Sequence, residues 1–218
     1  MKTILFDFDG TLMDTWPGIE KTIRASLREL EIPLDGKMIT RTLVGMPLMR
    51  VFEELLGGDP VKTGLATQKY RELFPVVGMS GARPFEGAVR MLEVLVERGR
   101  TLSLVTARNE VITRQMMKEH GLTGLFTWVR GEQEGEVPDG KAHMVAEVLD
   151  RLDLEQGDCV MVGDRRYDME AARANGVRSV GVTYGYGTKE ELLEVGAEQL
   201  AGSIEELEEI LLRMENGK

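Results

Sequence analysis

The sequence predicts an α/β protein built on a doubly wound parallel sheet, with a helical subdomain inserted after its first strand. Three observations carry that expectation. From about Pro84 onward, short apolar runs alternate with segments of helical periodicity. Between about Met13 and Ser80, several helical patterns follow one another with no strand between them. The opening run Ile4-Leu5-Phe6 and the later run Cys159-Val160-Met161-Val162 both end in acidic turns, as strands do when they deliver side chains to one sheet edge.

The elements follow in order. A first strand runs through Ile4-Leu5-Phe6 into Asp7-Phe8-Asp9-Gly10. In the insertion, Ile19, Ile23, Leu27 and Leu30 recur at helical steps and share one face. Further helices cover Leu48 to Leu56 and Val61 to Phe74, punctuated by Gly57-Gly58 and Pro60. Pro84 to Arg98 reads as a helix with Val89, Leu92, Leu95 and Val96 on one face, stopped by Gly99. Thr101 to Val105 is a strand, Glu110 to His120 a helix stopped by Gly121, and Phe126 to Val129 a strand. A plain loop at Gly135 to Gly140 leads into a helix from Lys141 to Leu152. Asp158 to Val162 is a strand, Tyr167 to Asn175 a helix with Gly176 as its C-cap, and Ser179 to Val182 a strand. Helices near Lys189 to Val195 and from Ile204 to Met214 close the chain. The expected organisation is a Rossmann-like core of residues 1–13 and 81–218 and a helical cap of residues 14–80. Ligands of open α/β sheets bind at the carboxyl edge, where the insertion leaves the first strand, so it is expected to act as a lid.

Composition bounds the function. The chain has 218 residues, 42% of them hydrophobic, enough for one main domain with a smaller appendage. A formal net charge of −10 argues against nucleic-acid or anionic-membrane partners, while leaving room for a small phosphorylated ligand at a local cation cluster. Cys159 is the single cysteine and sits in an apolar strand pattern, so no intramolecular disulfide and no thiolate metal cluster is expected. Met1-Lys2 leads straight into the strand without a signal-type apolar region, and no apolar stretch approaches membrane-spanning length. The expected compartment is the cytoplasm. No sustained heptad sets an oligomeric state, so a monomer or a small homo-oligomer fits equally.

The chemistry-bearing residues sit at strand and loop ends. Asp7 and Asp9 are two residues apart, and two carboxylates at ~4 Å repel by about 4 kcal/mol at a surface-like dielectric. A hard cation relieves that repulsion. Mg²⁺ suits few protein ligands because it keeps several waters, and zinc is disfavoured because His120 and His143 lack metal-type partners nearby. With the field neutralised, one aspartate can attack phosphorus and the other can move a proton. Gly10 permits close backbone approach to a phosphate, and Thr11 adds a hydroxyl. Asp164 follows a strand, and its spacing of four to Asp168 places both acids on one helical face; helix capping is the competing role. Thr106, followed by Ala107, ends a strand directly before a helix and can form an anion cradle or a simple N-cap. Arg108 and Asn109 face either a substrate or solvent. Lys141, at a helix start after Pro138-Asp139-Gly140, is the favoured cation for phosphoryl charge over Lys118.

Asp7-Phe8-Asp9-Gly10-Thr11-Leu12, Thr106, Lys141 and Gly163-Asp164-(x)₃-Asp168 resemble the four motifs of the haloacid dehalogenase superfamily of phosphatases. The resemblance covers nearly the whole chain. It is nearest to the phosphoglycolate phosphatase-like branch, which includes 5′-nucleotidases, and the insertion resembles a C1 cap. The stretch Val182-Thr183-Tyr184-Gly185-Tyr186-Gly187 agrees with that placement. The resemblance implies Asp7 as nucleophile forming an aspartyl-phosphate, and Asp9 as proton donor and then activator of water. It implies phosphoryl contacts from Gly10, Thr11, Thr106, Ala107 and Lys141. It implies Mg²⁺ held by Asp7, Asp164 and the backbone carbonyl of Asp9, with Asp168 in support. Ala142 stands where many relatives have a proline after the motif lysine. The cap segment Val44-Gly45-Met46-Pro47-Leu48 resembles a specificity region, with Arg41 or Arg50 within range of a substrate.

The leading expectation is a Mg²⁺-dependent hydrolase of a small phosphomonoester. A phosphosugar mutase of the β-phosphoglucomutase type is the alternative, and would return the phosphoryl group to a sugar instead of releasing it. A dehalogenase has no use for Asp9 or a metal. A signalling receiver lacks the insertion and would accumulate stable phospho-Asp7.

Overall fold

The computed structural model describes residues 2–33, 35–133 and 141–214; the loop expected at Gly135 to Gly140 lies outside them. The chain forms two compact units, one of Met1–Met13 with Pro84–Lys218 and one of Asp14–Arg83.

The elements are β1 (Thr3–Phe6), β2 (Met13–Asp14), α1 (Trp16–Glu29), α2 (Leu48–Leu55), α3 (Pro60–Leu73), β3 (Arg83–Pro84), α4 (Ala88–Glu97), β4 (Thr101–Asn109), α5 (Glu110–Glu119), β5 (Trp128–Glu132), α6 (Ala142–Arg151), β6 (Cys159–Gly163), α7 (Arg166–Ala174), β7 (Arg178–Val182), α8 (Lys189–Glu194), β8 (Gln199–Ala201) and α9 (Ile204–Arg213). Six strands form one sheet in the order β5-β4-β1-β6-β7-β8. Its pairings are parallel. The short β2 and β3 pair with each other where the chain passes between the two units.

The apolar run of β1 reflects burial on both faces, as a central parallel strand requires: Ile4, Leu5 and Phe6 are wholly buried. Leu5, Val105 and Met161 pack against Val145 and Val148 of α6, and Ala171 and Ala172 of α7 close the same layer. Each of the buried Leu, Val and Met side chains contributes about 1.5–3 kcal/mol on burial. Cys159 is part of this core, with its thiol pushed up to about 11 by burial, so it acts as a small hydrophobe.

Strand order decides where chemistry can occur. From β1 the chain builds outward to β4 and β5, then returns to the other side of β1 for β6, β7 and β8. The reversal lies between β1 and β6, which pair with Phe6 opposite Val162. Such a switch point opens a crevice at the carboxyl ends of the strands. Asp7 and Asp164 are the residues that follow those two ends.

Several boundaries differ from expectation. Pro84 belongs to β3, and α4 starts at Ala88 because Phe85 N–H bonds to Leu12 O and Ala88 N–H closes a turn on Phe85 O. β4 runs to Asn109, past the expected end at Val105, with a register irregularity between those residues. β5 falls at Trp128–Glu132, displaced toward the C-terminus from the expected Phe126 to Val129. β8 was not expected: Gln199-Leu200-Ala201 is a three-residue edge strand without a β-branched residue.

The Asp14–Arg83 unit is helical, with β2 and β3 contributing only at its ends. Ile19, Ile23 and Leu27 of α1 are buried as their spacing implies. Asp59 caps α3, accepting from Val61 N and Lys62 N at 3.1 Å, and Pro60 takes the first helical position, where no donor is lost. Phe52, Tyr70 and Phe74 form an aromatic row with centroid separations of 6.0 and 5.5 Å. A π-helical turn, Phe74–Gly78, continues α3. No helix among the described residues is long and apolar enough to cross a membrane.

Candidate active site

Asp7 continues β1, its N–H bonding to Val162 O at 2.9 Å. Lys141 stands at the N-cap of α6 and reaches back into the sheet edge. Its Nζ lies 2.5 Å from Asp7 Oδ1 and 2.6 Å from Asp168 Oδ1. Asp168 is in the first turn of α7, and its Oδ2 accepts from Arg165 N at 3.0 Å, tying the helix start to the strand that precedes it. Asp7, Lys141, Asp164 and Asp168 are each at most 4% exposed. Asp7, Asp164 and Asp168 each place an oxygen within 4.8 Å of the others.

Asp164 and Asp168 therefore meet, but not as one helical face. Asp164 precedes α7 altogether, and the turn through Arg165 brings the two acids together. Asp168 both supports the helix start and lies in the acid cluster with Asp7 and Asp164.

Asp9 has a different setting. Its carboxylate is gripped by Arg108, with Nε to Oδ2 at 2.9 Å and Nη2 to Oδ1 at 2.8 Å. Thr106 is buried and accepts from Arg108 N at 3.2 Å. It is not the residue before the helix: Asn109 caps α5, accepting from Val111 N and Ile112 N. Thr106, the half-buried Ala107 and Arg108 thus form the irregular end of a long strand. Gly10 has φ +78, and a Cβ there would stand 2.2 Å from Asp164 Oδ2, so only glycine fits. Thr11 is buried, and its hydroxyl has no hydrogen-bond partner among the described residues.

The sequence profile described as "Haloacid dehalogenase-like hydrolase" matches residues 4–182. The chain belongs to the haloacid dehalogenase-like hydrolase family. A relative from Pseudomonas aeruginosa named "5′-nucleotidase" is 34% identical over 189 residues, covering 87% of this chain and 86% of that protein. A "Phosphoglycolate phosphatase" from Neisseria meningitidis is 28% identical over 232 residues, covering 99% and 96%. Among solved structures, one described as a predicted phosphatase from Clostridium acetobutylicum superposes with a TM-score of 0.90 at 31% identity, covering 98% and 99%. Within the haloacid dehalogenase-like hydrolases, the phosphoglycolate phosphatase-like branch is the one this chain resembles.

In this family member, three buried carboxylates face one ammonium. Burial pushes the Asp7 carboxyl up to about 7, against the pull of Lys141 and with further help from Asp168 and Asp9. Asp164 is held well above the usual carboxylate range by burial, then by Asp7 and Asp168. Burial works against the Lys141 ammonium, but Asp168 and Asp7 outweigh it and raise its pKa above the ordinary lysine value. The cluster thus carries more negative charge than it can hold comfortably. Asp164 Oδ1 is buried with no hydrogen-bond partner among the described residues. An all-oxygen donor set with a bare oxygen fits a hard divalent cation.

Metal-free protein should therefore lose stability as pH rises. Asp7 has a folded pKa of about 7 against 3.8 for an ordinary aspartate. Between those values the folded state keeps a proton that the unfolded state has released, so stability is greatest below the lower value and declines until pH passes the upper. The loss is about 1.4 kcal/mol per pH unit crossed. Thermal melts in chelator should show a lower Tm at pH 8 than at pH 5, and millimolar Mg²⁺ should recover part of the loss at pH 8. A flat profile would contradict the buried charge excess.

Arg108 was the residue hardest to assign from sequence. A cation two positions after a buried threonine, in a chain with an acid pair to neutralise, was the available signal. Tyr184 and Tyr186 also contribute, the first by a hydroxyl bond to Thr11 O at 2.9 Å, the second by its backbone N–H to Asp164 Oδ2 at 2.7 Å. A backbone donor has no signature in residue type.

Proposed function

We propose that the chain is a Mg²⁺-dependent phosphatase that hydrolyses a small phosphomonoester through an aspartyl-phosphate, in the cytoplasm. Membership of the family, with phosphatases among its relatives, makes it a phosphoric monoester hydrolase. The observation that carries the finer reading is the Lys141 ammonium seated between Asp7 and Asp168, in an acid cluster whose third member, Asp164, has a buried Oδ1 without a hydrogen-bond partner among the described residues.

Asp7 is the proposed nucleophile. Its carboxylate oxygen bonds to phosphorus as the bond to the leaving alkoxide oxygen breaks, and Asp9 gives that oxygen a proton. Asp9 then takes a proton from water, whose oxygen bonds to phosphorus while the bond to Asp7 breaks and inorganic phosphate leaves. Arg108 occupies both Asp9 oxygens, so these proton transfers require the fork to release one of them. Lys141, Thr106, Ala107 and the Gly10–Thr11 turn are the proposed phosphoryl contacts. The side chains of Asp7 and Asp164 and the carbonyl of Asp9 would hold Mg²⁺, with Asp168 in support. When bound, it supplies positive charge to the acids and to the phosphoryl oxygens. Residues 14–83 are the proposed cap, to which choice of substrate is assigned.

The test is phosphate release from phosphoglycolate, nucleoside monophosphates, sugar phosphates and pyrophosphate, each with Mg²⁺ and with chelator. At least one monoester should be turned over, with a loss of roughly 100-fold or more on chelation. Undiminished turnover in chelator would sink the metal's role. The relative named 5′-nucleotidase makes nucleoside monophosphates the second substrate reading. Phosphoryl return to a sugar without phosphate release would replace both with the mutase.

A further inference from the structure

The two carboxylate oxygens of Asp164 have different surroundings. Oδ2 accepts from Tyr186 N at 2.7 Å. It also lies against two glycine backbones: a Cβ on Gly10 would come within 2.2 Å of it, and one on Gly185 within 2.6 Å. Oδ1 is equally buried but bare among the described residues. The turn that supplies the Tyr186 amide is itself anchored. Tyr184 donates its hydroxyl to Thr11 O at 2.9 Å, and its ring meets Phe85 edge-on at 5.1 Å. A Cβ on Gly185 would also stand 2.3 Å from Gly10 O and 2.4 Å from Asp164 Cβ. Two backbone turns close on one oxygen, while the other is buried without a hydrogen-bond partner among the described residues.

We propose that the Tyr184–Tyr186 turn is a cation-selectivity device: it makes Asp164 a one-oxygen ligand and so disfavours Ca²⁺ relative to Mg²⁺. The inference rests on reading the acid cluster as a Mg²⁺ site. Ca²⁺ gathers about six to eight oxygens and often takes both from one carboxylate. Mg²⁺ holds about six at shorter range, which single carboxylate oxygens and waters satisfy. To offer both oxygens to one ion, Asp164 would have to rotate away from the Tyr186 amide, leaving a buried N–H without its acceptor and driving an oxygen out of the slot between Gly10 and Gly185. Gly185 and Tyr184 are positioning residues in this scheme, acting on the cation only through Asp164.

Calorimetric titration of the full chain with MgCl₂ and with CaCl₂, after metal stripping, tests this. Gly185→Ala should lower the ratio of Mg²⁺ to Ca²⁺ affinity by about tenfold or more, chiefly through weaker Mg²⁺ binding. Tyr184→Phe, which removes only the hydroxyl tie to Thr11, should shift the ratio the same way by roughly threefold. Gly124→Ala is the control, since nothing lies within 4 Å of the added methyl. If Gly185→Ala fails to fold by circular dichroism, Tyr184→Phe decides. An unchanged ratio in the folded variants overturns the proposal. Wild-type protein that binds neither ion overturns the Mg²⁺ reading, and the proposal with it.

Discussion

Asp7→Asn is expected to abolish turnover while making the metal-free protein more stable at pH 8. The carboxamide has nearly the shape of the carboxylate but offers no nucleophilic oxygen, so the proposed aspartyl-phosphate cannot form; the loss should be on the order of 10⁴-fold or more. Stability should move the other way. Asp7 is buried with a pKa of about 7, so at pH 8 the folded protein holds a charge that burial and its acidic neighbours oppose. The amide removes that charge, and its oxygen can still accept from Lys141. A gain of several degrees in Tm in chelator, together with lost phosphate release from every substrate tested, separates a missing nucleophile from a damaged fold. Turnover close to wild type in Asp7→Asn would remove Asp7 from the mechanism.

The candidate site was legible in the sequence at one level and not at another. The apolar run Ile4-Leu5-Phe6 announces a strand buried on both faces, and the chain's strand–helix alternation dictates a parallel sheet. Once β1 and β6 are neighbours, Asp7 and Asp164 must stand close, and Lys141 at a helix start can face the same edge. Residue type and order give the strands and the acids at their ends, while the β1–β6 pairing is supplied by the fold. Local geometry was less accessible. Asp164 and Asp168 share the spacing of helical neighbours, yet Asp164 lies before the helix, because a tight turn and an i,i+4 step leave the same trace in sequence. Thr106 looked like a helix-start residue because the strand's irregular end, from Val105 to Asn109, contains no breaker. Asp9 was grouped with Asp7 by proximity in the chain, whereas its side chain pairs with Arg108, 99 positions away. The amide of Tyr186 left no trace, since every residue but proline carries one.

Lys141→Met is expected to cost both folding stability and catalysis, and the pH dependence of the first should show why. Methionine fills a similar volume but leaves the Asp7, Asp164 and Asp168 carboxyls buried with no ammonium among them. Removing one partner of a buried ion cluster typically costs about 3–5 kcal/mol. The lysine lowers the proton affinity of Asp7 and Asp164, so in its absence both acids should stay protonated to higher pH. The stability loss in chelator should then be largest near pH 8 and shrink toward pH 5, where neutral carboxyls no longer need the ammonium. Catalysis should fall by about 10²–10³-fold, because the charge proposed to meet the phosphoryl oxygens is gone. Lys141→Arg should recover part of the stability and little of the activity. A planar guanidinium cannot occupy the point between two carboxylate oxygens that the ammonium reaches at 2.5 and 2.6 Å. Thermal melts at pH 5 and 8, with phosphate release on the same preparations, measure both effects. A methionine variant as stable at pH 8 as the wild type would mean that the acid cluster does not depend on Lys141 for its charge balance.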